Sequence, residues 1–246
     1  MDVKITTVAQ RPELAQGLLF ADTWPVFCTR GLVGGSHFGR IAEVFPDYVL
    51  AATDGTGQVV ARGCSVPFAG RAAGRDPRPA RGYEQVLVWA FQDRRDGLAP
   101  DVVSAADITV RADRLGRGLS RIMLEAMRHN TREQGINTLI APVRPSAKHA
   151  EPGTPMSQYM HRTRPDGLPA DPWLRTHVRA GGVIEKPAPA SMTVSGSLAQ
   201  WREWTGLPFD ADGPVLVPGA LVPVQCSVDN DVAVYVEPNV WVRHDC

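Results

Sequence analysis

The sequence has no excess of either charge and no long apolar run. Its 246 residues carry 26 Lys and Arg against 26 Asp and Glu, so the formal net charge is zero. That balance argues against a nucleic-acid binder, which needs a broad basic face. No stretch reaches the roughly 18 apolar residues of a membrane span, and the N-terminus lacks the charged segment and apolar core of a secretory leader. These absences predict a soluble, cytoplasmic protein.

Cysteine and lysine are both scarce. The four cysteines are far apart and form no CxxC pair, so we expect neither a zinc site nor a disulfide framework, and no metal is predicted. Lysine occurs only at Lys4, Lys148 and Lys186. Nearly all positive charge is therefore arginine, which binds phosphate and carboxylate groups in a bidentate manner.

Hydrophobic periodicity predicts alternating helices and strands in one domain over residues 1–246. The predicted helices cover 11–24, 38–45, 82–95, 119–135, 171–182 and 197–206. The predicted strands are a hairpin over 48–68, single strands over 104–111, 136–143 and 191–196, and two strands within 220–244. This order is typical of an α/β (α+β) fold. A long irregular segment over 144–170 is typical of a functional loop or lid, and a C-terminal extension covers about 197–246.

Two glycines mark the junction between the strand over 104–111 and the helix over 119–135, in the stretch RADRLGRGLSRIML. A turn of this kind directs backbone N–H groups at one point, and the start of the helix adds partial positive charge. The Walker A pattern GxxxxGK[ST] is absent, and a dinucleotide GxGxxG would need a third glycine. The pyrophosphate of an acyl-coenzyme A is the ligand that remains.

The segment VRADRLGRGLSRIMLEAM resembles the coenzyme A-binding segment of the GNAT superfamily of acyltransferases. In that family a strand ends in a Q/R-x-x-G-x-G/A loop that opens a helix. The matching positions are Leu115, Gly116, Arg117, Gly118, Leu119 and Ser120. Gly118 matches the central glycine, whereas Leu115 and Ser120 depart from the family pattern. The resemblance implies a mixed central sheet with splayed middle strands flanked by helices, and it places Ile108 and Val110 beside the pantetheine.

Two further stretches, APVRPSAKH (141–149) and DPWLRTHVRAGG (171–182), resemble the GNAT-like loading domains of polyketide synthases of the curacin type. Those domains decarboxylate malonyl thioesters with a Thr and a His at the thioester and a Trp lining the site. The resemblance implies catalytic roles for Ser146, His177 and Trp24.

Several polar side chains near these stretches are secondary candidates. Arg144 and Tyr159 are predicted substrate contacts, with a surface salt bridge as the alternative for Arg144. His244 and Glu237 are interpreted as a structural pair. Both interpretations depend on contacts between distant parts of the chain.

Three functions stay open. The first is an acyltransferase of specialised metabolism that moves an acetyl or other short acyl group from a CoA or carrier thioester to an amine or thiol. The second is a malonyl-type thioester decarboxylase, and the third is a non-catalytic acyl-CoA sensor. Acetyl-CoA and malonyl-CoA are both candidate co-substrates, and the acceptor is a small molecule or is carrier-bound. In a variant of the first function the acyl group would come from an aminoacyl-tRNA, but the neutral net charge of the chain argues against binding to tRNA. The sequence does not reveal the oligomeric state.

Overall fold

The strands of the computed structural model, which describes residues 3–20 and 24–246, join in a nine-stranded mixed sheet. They are β1 (Lys4–Thr7), β2 (Val49–Thr53), β3 (Val59–Phe68), β4 (Val102–Val110), β5 (Thr138–Val143), β6 (Val183–Gly196), β7 (Gly213–Val215), β8 (Val224–Ser227) and β9 (Val232–Asp245). The order across the sheet is β1-β2-β3-β4-β5-β9-β8-β7, and β6 also pairs with β9. The pairing of β4 with β5 is parallel. This mixed sheet confirms the predicted fold class.

Seven α-helices are found in the described ranges. They are α1 (Leu32–His37), α2 (Ile41–Val44), α3 (Gly82–Asp96), α4 (Leu119–Glu133), α5 (Met156–Tyr159), α6 (Pro172–Arg179) and α7 (Leu198–Thr205). Within those ranges, no helix is long and apolar enough to cross a membrane. The helices predicted over 82–95, 119–135, 171–182 and 197–206 are confirmed, with small differences at their ends.

The helices predicted nearest the N-terminus differ from the observed ones. The expected helix over 11–24 is a 3-10 helix, Pro12–Leu18, and part of that prediction falls on residues 21–23, outside the described ranges. The expected helix over 38–45 is broken into a 3-10 turn, Phe38–Arg40, followed by α2. Gly39 lies in this 3-10 turn, and because glycine in a helix interior costs about 1 kcal/mol relative to alanine, a continuous helix over 38–45 is disfavoured.

Two helices cover opposite faces of the central strands, and this packing explains why every residue of β3 is buried. On one face, Leu87 of α3 belongs to the same core as Val66 and Phe68 of β3. On the other, Met123 of α4 packs with Val60. The sequence of a strand that is buried on both faces is a continuous apolar run, without the alternation of apolar and polar residues seen in half-exposed strands.

The segment predicted as an irregular loop over 144–170 contains α5 and is fixed to the rest of the protein. Lys148 is completely buried, and its Nζ donates hydrogen bonds to the carbonyl oxygens of Glu151 at 2.6 Å and Leu221 at 2.8 Å. Met156 and Tyr159 of α5 are buried. Because removing the Lys148 ammonium from water is costly unless hydrogen bonds replace the lost hydration, these contacts hold the segment in one place.

The C-terminal residues enter the main sheet. Ser197 and Gln200 form a capping box that starts α7, and the indole of Trp201 donates to the Ala233 carbonyl at 2.8 Å. Strand β9 then runs between β5 and β6, so that residues 240–243 pair with both. The end of the chain therefore lies beside β5, near the centre of the sheet.

Candidate active site

A gap opens between β4 and β5. Their parallel register is limited to Val103 opposite Leu139 and Ser104 opposite Ile140, although both strands continue beyond these pairs. A cavity of about 580 Å³ fills the gap and is lined by residues 105–110 on one side and 141–144 on the other. This is the splay of middle strands that the sequence resemblance implied.

The loop at the start of α4 lies at one end of this cavity, with Leu115 and Ser120 among the lining residues. Gly116 and Gly118 have φ of +73° and +77°. An added Cβ at either glycine would meet nothing within 4 Å, so the left-handed backbone, rather than lack of space, calls for glycine. No side chain caps α4 at Gly118. Its first backbone N–H groups are therefore available to an anion.

The arginines of this loop differ in their pairing. Arg111 is 2.6 Å from Asp113, and Arg114 is 2.9 Å from Asp54, so both charges are largely compensated. Arg117 is exposed and has no carboxylate within ion-pair distance among the described residues. Arg117 is thus the arginine of the glycine turn whose charge remains for a phosphate.

His177 is placed by a well-capped helix. The Asp171 carboxylate accepts hydrogen bonds from the backbone N–H groups of Trp173 at 2.9 Å and Leu174 at 3.0 Å, and Pro172 occupies the first helical position. Aspartate at the N-cap and proline next to it both favour a helix start at this point. The second turn of α6 then directs His177, only 2% exposed, to the cavity.

A second histidine contacts the first. Nδ1 of His177 lies 2.9 Å from Nε2 of His244, which is fully buried at the end of β9. Burial lowers the pKa of His177 to about 3, with a smaller contribution from the neighbouring His244. Burial is also the main reason why the pKa of His244 is lowered to about 4. Both rings are neutral near pH 7. Since Nδ1 is engaged by His244, Nε2 is the ring nitrogen of His177 that remains for a ligand.

Arg144 and Glu237 form a buried ion pair at another part of the cavity wall, where Nε of Arg144 lies 2.9 Å from Oε2 of Glu237. The same carboxylate accepts from the Tyr235 hydroxyl at 2.8 Å and from Nδ2 of Asn239 at 3.0 Å. The Arg144 guanidinium lies 5.5 Å from the centroid of the Trp24 ring. Burial has the largest single effect on the pKa of Arg144 and lowers it, but Glu237, Cys28 and Tyr235 together outweigh burial, and the net shift is upward.

These contacts correct two interpretations made from the sequence. Glu237 pairs with Arg144 and His244 with His177, so the expected Glu237–His244 pair is wrong. The alternative of a surface salt bridge for Arg144 is also wrong, because its partner Glu237 is only 2% exposed. No local sequence pattern indicates either pairing, since the partners are 93 and 67 residues apart.

A further ion pair in the cavity wall was missed from the sequence. Nε of Arg62 is 2.7 Å from Oδ2 of Asp107, and the other carboxylate oxygen accepts from the Thr109 hydroxyl at 2.7 Å. A signal was present, because Arg62 interrupts the otherwise apolar run of β3, where an arginine is rarely buried unless paired. Beside Arg144 and Glu237, the thiol of Cys28 is half-buried, and this partial burial raises its pKa to about 12 and keeps it protonated.

Most of the residues predicted for the site line this one cavity. They are Trp24, Ile108, Val110, Leu115, Ser120, Arg144, Ser146 and His177. Gly116, Arg117 and Gly118 lie between two lining residues in the glycine turn. Leu119 is buried in the core beneath α4. Tyr159 does not line the cavity: its hydroxyl donates to the second oxygen of Asp171 at 3.0 Å, so it supports the start of α6.

Comparison with known proteins extends over almost the whole chain. No protein-family model matches it. It is 32% identical over 272 aligned residues to arginine N-acetyltransferase avaD of Aspergillus versicolor, covering 98% of this chain and 93% of that protein.

Solved structures share the fold. The loading GNATL domain of CurA from Lyngbya majuscula superposes with a TM-score of 0.64 at 16% identity, covering 100% of this chain and 98% of that one. The GphF GNAT-like decarboxylase in complex with isobutyryl-CoA superposes with a TM-score of 0.52 at 15% identity, covering 100% of this chain and 99% of that one. At these identities the likeness shows a common fold.

Proposed function

The chain belongs to the GNAT superfamily of acyltransferases, and from that premise we propose that it transfers an acetyl group from acetyl-CoA to a nitrogen of an arginine-bearing small molecule. One observation carries the proposal: a single cavity is lined both by Ser120, at the uncapped start of α4, and by the buried His177. A site that would hold the nucleotide part of coenzyme A and a residue that would accept a proton thus line the same cavity. The arginine-bearing acceptor is suggested by the relative named arginine N-acetyltransferase.

The residues at the glycine turn fit coenzyme A. The backbone N–H groups from Gly116 to Ser120, together with the uncompensated Arg117, would hold the pyrophosphate. Beyond Ser104 the edge of β4 is no longer paired with β5, so its backbone groups beside Ile108 are available to the amides of the pantetheine arm. When bound, acetyl-CoA would supply an acetyl group activated as a thioester.

His177 is the proposed catalytic base. Its Nε2 would accept the proton that the acceptor nitrogen loses as the new nitrogen–carbon bond forms. It would then return a proton to the sulfur, which leaves with the electron pair of the broken carbon–sulfur bond. The ring is neutral near pH 7, so Nε2 carries a lone pair. Because the lowered pKa makes the imidazole a weak base, the proton would move to it only as the attacking nitrogen becomes acidic on forming the new bond. Ser146, exposed on the cavity wall, would donate a hydrogen bond to the acetyl oxygen.

Arg144 is the proposed contact for the acceptor's carboxylate or carbonyl oxygen. Its Nε donates to Glu237 and its Nη2 to the Gly219 carbonyl at 2.6 Å. The guanidinium also hydrogen-bonds to the thiol of Cys28, and Arg144 lines the cavity. Because Glu237 and Gly219 fix the guanidinium plane, the N–H groups of Arg144 that face the cavity would point in one direction, which favours an acceptor with a matching oxygen.

The test is acetyl transfer followed by mass spectrometry. With acetyl-CoA and L-arginine we expect an arginine that is heavier by one acetyl group. Agmatine, which lacks the carboxylate, should react with a lower kcat/KM. Absence of any acetylated arginine or arginine derivative would overturn the proposed acceptor, and binding of acetyl-CoA without turnover on any acceptor would indicate a sensor.

The same assay separates the decarboxylase alternative. Malonyl-CoA incubated without acceptor would turn into acetyl-CoA in a decarboxylase. We expect no such conversion, because the relative that covers almost the whole chain is named an arginine N-acetyltransferase, which favours transfer to an acceptor over decarboxylation.

A further inference from the structure

We propose that His244 is a positioning residue, which holds His177 in the tautomer with the proton on Nδ1 and a bare lone pair on Nε2. This proposal rests on the proposed function, since it assigns His244 a part in the same reaction. It concerns a residue that does not itself line the cavity. His244 would act through the base rather than on the substrate.

The two rings are fixed against each other by tight packing. Nδ1 of His177 and Nε2 of His244 are 2.9 Å apart. Because His177 is 2% exposed and His244 is 0% exposed, neither ring has room to move. Gly182 sits over the contact: an added Cβ would lie 2.7 Å from Cε1 of His244 and 2.8 Å from the carbonyl oxygen of His177. The ring of Trp173 packs edge-on against His177 from the other side, with centroids 4.6 Å apart.

The contact between the two rings needs one donor and one acceptor, because both rings are neutral and the facing nitrogens are 2.9 Å apart. The proposed base needs a bare lone pair on Nε2 of His177, so Nδ1 of His177 is the donor and Nε2 of His244 is the acceptor. The proton of His244 then lies on its buried Nδ1, which has no hydrogen-bond partner among the described residues. The Ala180 carbonyl oxygen acts on the ring and offsets only part of the lowering of the His244 pKa.

The positive charge of Arg128 favours the neutral form of His244 over the protonated form. Arg128 donates to the Ala180 carbonyl and, through Nη2, to the carbonyl of Asp245 at 2.8 Å, and its positive charge lowers the pKa of His244. A neutral His244 has a lone pair to accept with, while a protonated one would have none. The arrangement thus resembles the logic of a catalytic triad, in which a third group fixes the tautomer and orientation of the base.

The experiment combines histidine side-chain ¹⁵N NMR with kinetics on wild type, His244→Phe and His244→Gln. In wild type we expect His177 to carry its proton on Nδ1. In His244→Gln the amide oxygen can replace Nε2 as acceptor, so the tautomer and much of kcat should be retained. In His244→Phe the tautomer preference should be lost and kcat should fall about 10- to 100-fold at unchanged KM for acetyl-CoA, by analogy with the loss of a hydrogen-bond partner from a metal-binding histidine.

His129→Gln, on the exposed face of α4, is the matched control and should change neither readout. A wild-type His177 protonated on Nε2, or a folded His244→Phe with wild-type kcat, would overturn the proposal. If His244→Phe does not fold, the wild-type and His244→Gln spectra decide the tautomer. Because the spectra need no turnover, the predicted tautomer in a protein that acetylates nothing would refute only the proposed function.

Discussion

The two ends of the cavity are built in different ways. The proposed coenzyme A end comes from one short, mostly exposed stretch, residues 115–120, and offers backbone N–H groups and two left-handed glycines. The proposed acceptor end brings together Arg144, His177, Glu237 and His244, which are far apart in the chain and form buried side-chain pairs. Backbone donors survive most side-chain changes, whereas a buried pair fails when one partner is lost. Substitutions should therefore have larger effects at the acceptor end.

The largest effect is expected for His177→Ala. Loss of the base should lower kcat by about 100-fold or more, the usual contribution of general acid–base catalysis, with the KM for acetyl-CoA unchanged. Steady-state kinetics would measure both. Thr176→Ala, one residue away with its hydroxyl bonded to the Pro172 carbonyl, should keep near-wild-type kcat. A rise in the KM for acetyl-CoA instead of a fall in kcat would show that His177 belongs to the coenzyme A end.

The second-largest effect is expected for Glu237→Gln, on the stability of the folded protein. Glu237→Gln leaves the Arg144 charge buried without its counter-ion, which should lower the free energy of unfolding by about 3 kcal/mol. Urea unfolding would measure it. The control is Glu125→Gln, whose ion pair with Arg121 is exposed and which should cost less than about 1 kcal/mol. Equal losses in the two variants would contradict the distinction between the buried and exposed pairs.

Acidification should destabilise the acceptor end through its histidines. Their pKa values fall from 6.5 to about 3 and about 4 on folding, so below pH 6.5 the unfolded chain binds more protons. The stabilisation is complete above pH 6.5 and is lost as the pH falls, by about 1.4 kcal/mol per pH unit for each histidine. Urea unfolding from pH 6.5 to 4.5 should give a smaller slope for His244→Gln than for wild type. Identical slopes would mean that His244 is protonated in the folded protein.

The smallest effect is expected at the coenzyme A end. Gly118→Ala should lower the free energy of unfolding by about 1 kcal/mol, because alanine disfavours the left-handed backbone. It should also raise the KM for acetyl-CoA severalfold by misplacing the N–H groups. Gly57→Ala in the β2–β3 turn, with φ of +82° and nothing near its added Cβ, should cost similar stability without changing that KM. A parallel rise in both variants would contradict a pyrophosphate site at Gly118.

Features encoded locally were predicted well from the sequence. The glycine turn, the amphipathic α4 and the Asp-Pro start of α6 each depend on residues close together in the chain. The side-chain pairings that were not predicted from the sequence depend on contacts between distant parts of the chain. His244 reaches His177 because β9 inserts beside β5, and Glu237 reaches Arg144 through the same strand. The place of Tyr159 outside the cavity lining could not be predicted for the same reason, since its partner Asp171 could be identified only from the fold.

The most direct test of a two-ended site is a crystal structure with coenzyme A bound. We expect the pyrophosphate on the N–H groups between Gly116 and Ser120, the pantetheine along β4 between Ser104 and Val110, and the sulfur on the His177 side of the cavity. Coenzyme A bound outside the β4–β5 gap, or with its sulfur directed away from His177, would contradict the division of the cavity into a coenzyme A end and an acceptor end.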